Sequence, residues 1–552
     1  MTLETFFEKF DQFADAPDAV AKMRELVLEL AVRGRLLPSA AHPSDPSAPF
    51  PIPNDWKWSL IANVADTCGQ KVPDRPFTYI DVGTIDNTRG LIKPDPEVVS
   101  PENAPSRARK LVRPGTVIYA TVRPYLKNIA VIDREFVPHA IVSTAFAILN
   151  PKPFLDGRFL FFWLRSKAFE AQVAERMKGV AYPAINDGEF RACPIPLPPL
   201  AEQKRIVAKV DELMAVCDRL EAQQQERETR HAALARASLA RFADAPTPAN
   251  LKLIFHPSYS VAPADLRKSI LTLAAQGKLV PQDPNDEPAE DLLARLEQER
   301  ARIAKDQGVR PPKNVPPLAA YNYPHDIPES WQWSRIGHLA LVIDYGTSQK
   351  ADNDSSKVPV YRMGNIVGGR LVDENLKYVD ASIDDLPGLY LKTDDILFNR
   401  TNSYELVGKA GIYTGPDDTA TFASYLIRIR LPDTLLFPQF YSVAMNAPYY
   451  RQTQIEPEVV QQCGQANFNG TKLASTVVPL PPLAEQRRIV AKVEQLMALV
   501  DALETQLAAS RATAANLLSA LVAELTGTPN DGKVSVPSTA TTGRRGRPRK
   551  SP

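Results

Sequence analysis

Two short groups of residues in this 552-residue chain come close to catalytic motifs. The string Asn-Ala-Pro-Tyr at 446–449 approaches the Asn/Asp-Pro-Pro-Tyr/Phe loop of an adenine methyltransferase, but it lacks the first proline, and no Phe-x-Gly-x-Gly string accompanies it. Asp187, Glu202 and Lys204 resemble the acidic metal site of a nuclease only loosely, because Glu202 opens a predicted long helix. The phosphate-binding pattern Gly-x4-Gly-Lys-Ser/Thr is absent. The sequence therefore does not predict an enzyme.

The cysteines and histidines do not form a ligand cluster. Cysteines occur at 68, 193, 217 and 463 without a Cys-x-x-Cys pair, and histidines occur singly at 42, 139, 231, 256, 325 and 338. Structural zinc sites need ligands in close pairs, and disulfide frameworks need regularly spaced cysteines. The sequence therefore predicts neither a zinc site nor a set of disulfides.

Composition predicts a soluble globular protein of several domains, with 44% hydrophobic and 23% charged residues. No apolar run approaches the roughly 18 residues of a membrane span. The N-terminal MTLETFFEKFDQF lacks a signal-peptide pattern, so a cytoplasmic location is expected. The net charge of +1 argues against wrapping in nucleic acid by bulk charge, but it leaves site-specific binding by local basic loops open.

The chain contains an internal repeat. PLPPLAEQ occurs at 196–203 and again at 479–486, and the longer segments 196–222 and 479–505 share about 20 of 27 residues. Upstream, RELVLELAVRGRLLP matches RKSILTLAAQGKLVP, and IPNDWKWSLI matches IPESWQWSRI, in the same order in both halves. The second half carries about 32 extra residues, which predict a charged surface helix around EPAEDLLARLEQERARIAKDQG. We interpret the chain as one structural unit formed twice.

Each half is predicted to contain a short helix followed by a long one. The short helix has an apolar stripe and a glycine placed for a left-handed C-terminal cap. The stripe and cap residues are Met23, Val27, Leu30 and Gly34 in the first half, and Leu266, Ile270, Leu273 and Gly277 in the second.

The long helix follows the PLPP prolines, and apolar residues recur at alternating intervals of four and three residues from Ile206 and from Ile489. This seam predicts two helices of about 40–45 residues that pair with each other. The alternative is that each helix packs only on its own domain.

Between the tryptophans and PLPPLAEQ lies a mixed region of strands and helices in each half. GTVIYATV, HAIVSTAFAIL and the helix RFLFFWLRSKAFEAQVAERM correspond in order to DDILFNRT, TATFASYLIRIRL and FPQFYSVAMNAPYYRQ. The loops differ sharply: YATVRPYLKNIA stands opposite FNRTNSYELVGKAG, and CGQKVPDRP opposite YGTSQKADND. The similar helices indicate one docking surface that is used twice. The dissimilar loops indicate that the two regions recognise different targets.

These segments resemble one family closely, the DNA-specificity subunit of type I restriction–modification enzymes. The residues that carry the resemblance are LRKSILTLAAQGKLVPQDPNDEPA at 266–289, the two PLPPLAEQ-x-RIVAKV segments and the ILFNRT-type strand. The resemblance implies an α+β fold, with two mixed α/β target-recognition domains separated by two long antiparallel coiled-coil helices in a pseudo-twofold repeat. The expected regions are an N-terminal helical segment (1–50), recognition domain 1 (51–195), helix 1 (196–245), a linker with the repeated short helix (246–326), recognition domain 2 (327–478), helix 2 (479–527) and a flexible basic tail (528–552).

The resemblance implies a non-catalytic subunit that recognises double-stranded DNA. Each domain would read one half of a bipartite asymmetric site, and the helices would set the spacing. Two methyltransferase subunits would dock on the helices, and two restriction–translocase subunits would join them to form an adenine DNA methyltransferase and ATP-dependent endonuclease. S-adenosylmethionine, ATP and Mg would bind those partners, so no cofactor is expected in this chain. The alternative is a coiled-coil scaffold without DNA specificity, which explains the helices but not the two divergent globular regions.

Candidate DNA contacts lie in the divergent loops. Base edges are read by Arg, Lys, Asn and Gln, and phosphates are bound by cations and small polar side chains. The candidates are Lys71, Arg75, Arg123, Tyr125, Lys127 and Asn128 in the first domain, and Gln349, Lys350, Arg400, Asn402, Ser403 and Tyr404 in the second. A merely solvated polar loop is the alternative for each.

Two further features could contact DNA. The tail GRRGRPRK resembles an AT-hook, in which Arg545 and Arg547 would enter a narrow minor groove, although a random basic tail is the alternative. The paired tryptophans could stack on bases, but their repeated place at the domain entrance favours packing. These are Trp56, Trp58, Trp331 and Trp333.

Overall fold

The computed structural model describes residues 3–8, 10–14, 16, 18–37, 48–179, 182–256, 259–318, 323–462 and 465–526. The chain forms two compact units, the first from Met1–Arg227 with Ala508–Pro552 and the second from Glu228–Leu507. None of the described helices has an apolar stretch that could cross a bilayer. Within the described ranges, no three His, Cys, Asp or Glu side chains gather in a way that could hold a metal ion.

The first unit combines helices with two four-stranded sheets, ordered β6-β3-β10-β7 and β2-β11-β8-β9. Its helices are α1 (Leu3–Glu8), α2 (Phe10–Phe13), α3 (Ala19–Val32), α4 (Ile61–Val64), α5 (Gly157–Arg165), α6 (Lys167–Arg176), α7 (Asp187–Arg191) and the start of α8 (Leu200–Asp244). Its strands are β1 (Lys57–Leu60), β2 (Ala65–Asp66), β3 (Phe77–Ile80), β4 (Ile85–Asp86), β5 (Leu91–Ile92), β6 (Val98–Val99), β7 (Ala108–Leu111), β8 (Val117–Ala120), β9 (Ile129–Val131), β10 (Ala140–Ser143), β11 (Phe146–Pro151) and β12 (Pro194–Leu197).

The second unit is built around a six-stranded sheet ordered β14-β23-β19-β21-β17-β16, with two three-stranded sheets, β18-β15-β22 and β20-β25-β24. Its helices are α9 (Pro248–Ile254), α10 (Pro263–Ala275), α11 (Ala289–Asp306), α12 (Ile336–Leu339), α13 (Leu386–Leu389), α14 (Pro438–Asn446), α15 (Pro448–Tyr450), α16 (Gly470–Ser475) and the start of α17 (Leu483–Thr526). Its strands are β13 (Gln332–Arg335), β14 (Val342–Tyr345), β15 (Val358–Tyr361), β16 (Ile366–Val367), β17 (Arg370–Leu371), β18 (Lys377–Val379), β19 (Ile396–Asn399), β20 (Thr401–Asn402), β21 (Ala410–Ile412), β22 (Thr421–Phe422), β23 (Leu426–Arg430), β24 (Val460–Gln462), β25 (Gln465–Asn467) and β26 (Val477–Leu480).

The sheets confirm the repeat. Strand β8 lies between β11 and β9, and β19 lies between β23 and β21, with antiparallel pairing in all four cases. The register places Ala120 opposite Phe146 in the first unit and Asn399 opposite Leu426 in the second. The ends of β8 and β19, where the candidate loops begin, are therefore equivalent positions.

Both short helices end in the predicted glycine cap. Gly34 and Gly277 have φ values of +69° and +67°, which L side chains rarely adopt. The next residue in each case donates a backbone hydrogen bond to the carbonyl five residues back, from Arg35 to Leu30 at 2.9 Å and from Lys278 to Leu273 at 3.0 Å. The predicted stripe residues are all buried. The charged helix expected in the second half is α11, which buries Leu292 and Leu296.

The long helices have 45 and 44 residues, as predicted. In the first unit, the early part of α8 shares an apolar core with Ala514 and Leu518 near the end of α17. In the second unit, Val493 and Leu496 near the start of α17 share a core with Phe242 near the end of α8. The helices therefore pair in opposite directions, and the alternative that each packs only on its own domain is wrong.

PLPPLAEQ forms a rigid joint between each domain and its long helix. The strand that enters the domain pairs with the strand that leaves it, β1 with β12 and β13 with β26. Gln203 then accepts from the backbone N–H of Asp156 at 2.7 Å and donates to Pro198 O at 2.8 Å. Gln486 repeats this, accepting from Phe437 at 2.9 Å and donating to Pro481 O at 2.9 Å. The identical string is needed twice because each buried amide must meet the same backbone groups.

The tryptophans confirm the packing interpretation. Trp56, Trp331 and Trp333 are buried, and Trp58 is partly buried against the core of its unit. The indole N–H of Trp331 donates to Glu485 Oε2 at 2.9 Å. The paired tryptophans are thus part of the joint.

Candidate nucleic-acid interface

In the first unit, the loop that follows β8 presents an arginine stacked on a tyrosine. Arg123 adopts a left-handed backbone conformation (φ +50°), and its guanidinium carbon lies 4.6 Å from the centre of the Tyr182 ring. The backbone N–H of Arg123 donates to Pro183 O at 2.8 Å, and Val122 forms a β-bridge with Ala184. The loop is therefore held by the segment just before α7, while the Tyr182 ring remains 68% exposed.

The other three candidates in this loop differ in position. Tyr125 is exposed, whereas Asn128 is only 7% exposed. Lys127 turns towards the helices and pairs with Glu170 at 3.1 Å. Burial raises the pKa of Glu170, but Lys127 and then Lys167 outweigh that effect and lower it overall. Tyr125 therefore reaches the surface, Arg123 is half-buried beside Tyr182, and Lys127 has a partner within the protein.

Lys71 and Arg75 lie on a second exposed loop of the same unit, beside β7. The backbone N–H of Lys71 donates to Arg109 O at 2.8 Å, and its ammonium pairs with Asp74 at 2.8 Å. Burial lowers the pKa of His139, and the positive charges of Arg75 and then Lys71 lower it further. His139 therefore lies close enough to feel both cations, and its neutral form is favoured there. Sequence reasoning missed His139 because only the sheet brings it there.

The second unit has a similar arrangement in the corresponding loop, although its arginine directly follows the strand, whereas Arg123 is three residues beyond β8. Arg400 follows β19, and its guanidinium lies 4.7 Å from the Tyr345 ring centre. Its backbone N–H donates to Tyr425 O at 3.1 Å, and Nη1 donates to Ser424 O at 3.3 Å. Tyr345 and Tyr425 are both exposed. Tyr182, Tyr345 and Tyr425 are absent from the sequence prediction because they come from elements distant in the chain.

The remaining candidates of the second unit surround this arginine or lie on the neighbouring loop. Asn402 lies on β20, and its side chain accepts from the backbone N–H of Ser403 at 2.8 Å. Tyr404 is exposed, and the guanidinium of Arg451 lies 5.4 Å from its ring centre.

Gln349 and Lys350 are both exposed on the loop that follows β14. The hydroxyl of Thr347 accepts from Gln349 N at 3.1 Å and donates to Asp385 at 2.9 Å. Arg545 and Arg547 of the tail lie outside the described residues.

A buried ionic network supports the second site from beneath. Arg428, 2% exposed, forms a two-pronged contact with Asp344 at 2.6 and 3.0 Å and donates to the carbonyls of Tyr390 and Gly388 at 2.7 and 2.9 Å. Asp344 directly precedes Tyr345, so Arg428 fixes the base of the Gln349 loop. Burial raises the pKa of Asp344, and its contact with Arg428 opposes that rise.

The first unit has a neutral cluster at the equivalent place. Thr116 donates its hydroxyl to Asn150 Oδ1 at 2.6 Å, and Asn150 Nδ2 lies 2.7 Å from Cys68 Sγ. The matching residues of the second unit are charged, and Arg430 pairs with the buried Asp395 at 2.6 Å. The two sites therefore share a frame but differ in the polar interior that sets their loops.

The two groups that approached catalytic motifs have structural contacts. The side chain of Asn446 joins α14 to β21, accepting from Ala410 N at 3.2 Å and donating to Ala410 O at 2.9 Å. Asp187 pairs with Arg191 on the same short helix at 3.2 Å. Glu202 is buried in the joint, which raises its pKa. These contacts give Asn446, Asp187 and Glu202 roles in stabilising the fold.

A family model of the type I restriction modification DNA specificity domain matches residues 76–228 and 328–510. The Type I restriction enzyme EcoEI specificity subunit of Escherichia coli is 25% identical, over 91% of this chain and 93% of its own length. The EcoAI specificity subunit of the same species is 24% identical over the same shares. A solved chain, described as the structural basis underlying complex assembly and conformational transition of the type I R-M system, has 24% identity and a TM-score of 0.52, covering 86% of this chain and 98% of its own.

The solved chain supports the fold, and the sequence relatives support the function. The alternative of a scaffold without DNA specificity is not supported by these relatives. Because the two family matches together cover more than half of its length, the chain belongs to the family of type I restriction–modification DNA specificity subunits, the non-catalytic components that recognise DNA sequence.

Proposed function

We propose that each unit reads one half of a bipartite DNA site through the loops that follow its central strand. The observation that carries this proposal is that Arg123 and Arg400 lie in corresponding loops after the matching strands β8 and β19, and that each stacks on a tyrosine from a distant segment of the chain. A shared frame keeps both loops in the same position on their domains, while dissimilar loop residues select different bases. All twelve described loop candidates remain proposed contacts, and the tail arginines would add a sequence-tolerant contact in the minor groove.

A domain exchange tests this proposal. The entry and exit strands pair with each other, so residues 57–197 form a module with adjacent ends. Replacing this module with that of another family member should change one half of the methylated sequence and leave the other half intact. The matched control replaces residues 332–480, which are closed by the second strand pair, and should change only the opposite half. A methylome in which either exchange altered both halves, or neither, would contradict the proposal.

Two copies of one methylation subunit would dock on the long helices. Packing explains why buried residues are identical in the two copies, but Ala208 and Ala491 are exposed, identical and equivalent. The same holds for Ala215 and Ala498. An exposed surface preserved in both copies fits one partner that binds twice. Two restriction–translocase subunits would join this assembly. S-adenosylmethionine, ATP and Mg would bind those partner subunits. Because its ligand is DNA, the protein would work in the cytoplasm.

The docking proposal predicts a stepwise loss of partner. Ala491→Arg should reduce the partner from two copies to one in native mass spectrometry, and Ala208→Arg with Ala491→Arg should leave none. The control is Ala502→Arg, because the equivalent exposed residue of the first helix is already Arg219. Retention of two partner copies by the double variant would refute this docking surface.

A further inference from the structure

Exposed apolar side chains are concentrated around Arg123 and Arg400. In the first unit, Val122, Tyr125, Leu126 and Tyr182 are all exposed, although the sheet beneath them is well packed. Val122 and Tyr125 lie within two residues of Arg123, and Tyr182 forms the stack with it. Apolar groups exposed together indicate a binding surface, because isolated exposure is normal but clustering is not.

The second unit has a corresponding group. Tyr345, Tyr404, Leu406 and Tyr425 are exposed around Arg400, two of them in direct contact with it through a ring or a backbone hydrogen bond. These residues do not align with those of the first unit, and they come from different loops. Two divergent sets of loops have thus each placed four exposed apolar side chains, two tyrosines in the first unit and three in the second, around an arginine that follows the matching strand.

We propose that these two groups, the first-unit patch and the second-unit patch, contact DNA bases through apolar and stacking interactions rather than phosphates. The proposal rests on the proposed function. Phosphates are bound by cations and hydrogen-bond donors, whereas Leu, Val and a tyrosine ring offer them nothing. Thymine methyl groups are the apolar groups that a stacked duplex exposes in the major groove, and a base face becomes available to an aromatic ring wherever a base step is unstacked. The nearby cations, Arg123 and Arg400, provide the attraction that brings the patches to DNA.

The distinction between bases and phosphates can be measured as salt dependence. Each phosphate contact releases condensed counterions and contributes about one to the slope of log affinity against log salt. Stacking and methyl contacts release none. A variant that loses only base contacts therefore has lower affinity at every salt concentration and an unchanged slope.

The experiment uses the full chain assembled with its partner subunits, and a duplex that the wild-type complex selects from a randomised pool. Tyr125→Ala with Leu126→Ala should lower affinity about tenfold without changing the slope. Tyr404→Ala with Leu406→Ala should do the same for the second patch. Tyr125→Phe, which keeps the ring, should bind as the wild type does. Lys71→Ala serves as the phosphate comparison, with a slope smaller by about one.

Val98→Ala controls for loss of any exposed apolar group, because Val98 lies on the edge of its sheet farthest from β7 and should have no effect. The inference is overturned if the alanine pairs bind like the wild type or if their salt slope falls by about one. Should the wild-type complex select no sequence from the pool, the proposed function fails and this inference fails with it. Selection by the wild type with unaffected alanine pairs refutes this inference alone.

Discussion

Replacing Gly277 with alanine should destabilise the end of α10 more than its backbone conformation alone explains. A Cβ atom at Gly277 would lie 2.5 Å from Pro328 Cγ and 3.0 Å from Trp331 Cζ2. Gly308, which follows α11, has nearly the same φ (+66° against +67°) but has open space at its Cβ position. The two glycines therefore differ in packing and not in backbone conformation.

The magnitude follows from two contributions. The left-handed conformation costs an L residue about 1–2 kcal/mol, and this applies to both positions. Forcing a methyl group into a filled space costs about 1–3 kcal/mol more, and this applies only to Gly277. We expect Gly308→Ala to cost about 1–2 kcal/mol and Gly277→Ala to cost about 2–5 kcal/mol.

Hydrogen exchange with mass spectrometry measures the free energy of local opening in each variant. Peptides that cover the ends of α10 and α11 report on Gly277→Ala and Gly308→Ala respectively. Gly34 and Gly115 provide a similar comparison in the first unit, because both have positive φ (+69° and +88°), a Cβ at Gly34 would lie 2.4 Å from Pro53, and Gly115 has open space. Equal costs at the crowded and open glycines would refute the reasoning, since the close approach to the proline would then contribute nothing.

Three further outcomes are expected. Arg428→Lys keeps the charge but cannot reach Asp344 and both carbonyls together, so it should weaken recognition of one half-site about tenfold or more while the other half is unchanged in a binding assay. Gln486→Ala leaves two buried backbone groups without partners and should lower the free energy of unfolding in urea by about 2–4 kcal/mol. Burial raises the pKa of Glu485 in the folded state, so its favourable contribution is complete below the unfolded pKa and is lost as pH rises through the folded value. Glu485→Gln should remove this part of the pH dependence of stability.

The first two of these outcomes have a control variant in the same unit. Arg300 is a partly buried arginine that also donates to backbone carbonyls, of Ala340 and His338, but it lies away from the candidate loops, so Arg300→Lys should leave recognition unchanged. Gln495 is exposed on α17, and Gln495→Ala should change stability little. Equal effects of Arg428→Lys and Arg300→Lys on recognition would contradict a positioning role for Arg428. A pH profile identical in the wild type and Glu485→Gln would contradict the linkage.

The repeated helical parts of the fold were predictable from the sequence. The stripe of Leu266, Ile270 and Leu273 and the cap at Gly277 follow from helical periodicity and from the backbone freedom of glycine, which are properties of neighbouring residues. The pairing of the long helices followed from a seam sustained over many turns. Each of these predictions used only spacing along the chain.

The candidate sites were predictable only to the level of the loop. Asn128 is buried and Lys127 is paired because the chain turns left-handed at Arg123 and again at Lys127, and neither turn has a glycine to signal it. The network around Arg428 depends on the register of β14, β19 and β23, which places residues more than 80 positions apart in contact. Side-chain partners set by sheet register cannot be read from local pattern.

The pairing of each domain's first and last strands has an evolutionary consequence. A foreign gene segment inserted between the codons of β1 and β12 would encode a region whose two ends lie next to each other. The structure of the rest of the chain would therefore be unchanged. The glutamine joint and the helix faces lie outside that segment and would be inherited unaltered. A lineage could thus acquire a new target preference in a single recombination event, with no matching change in the genes of its partners.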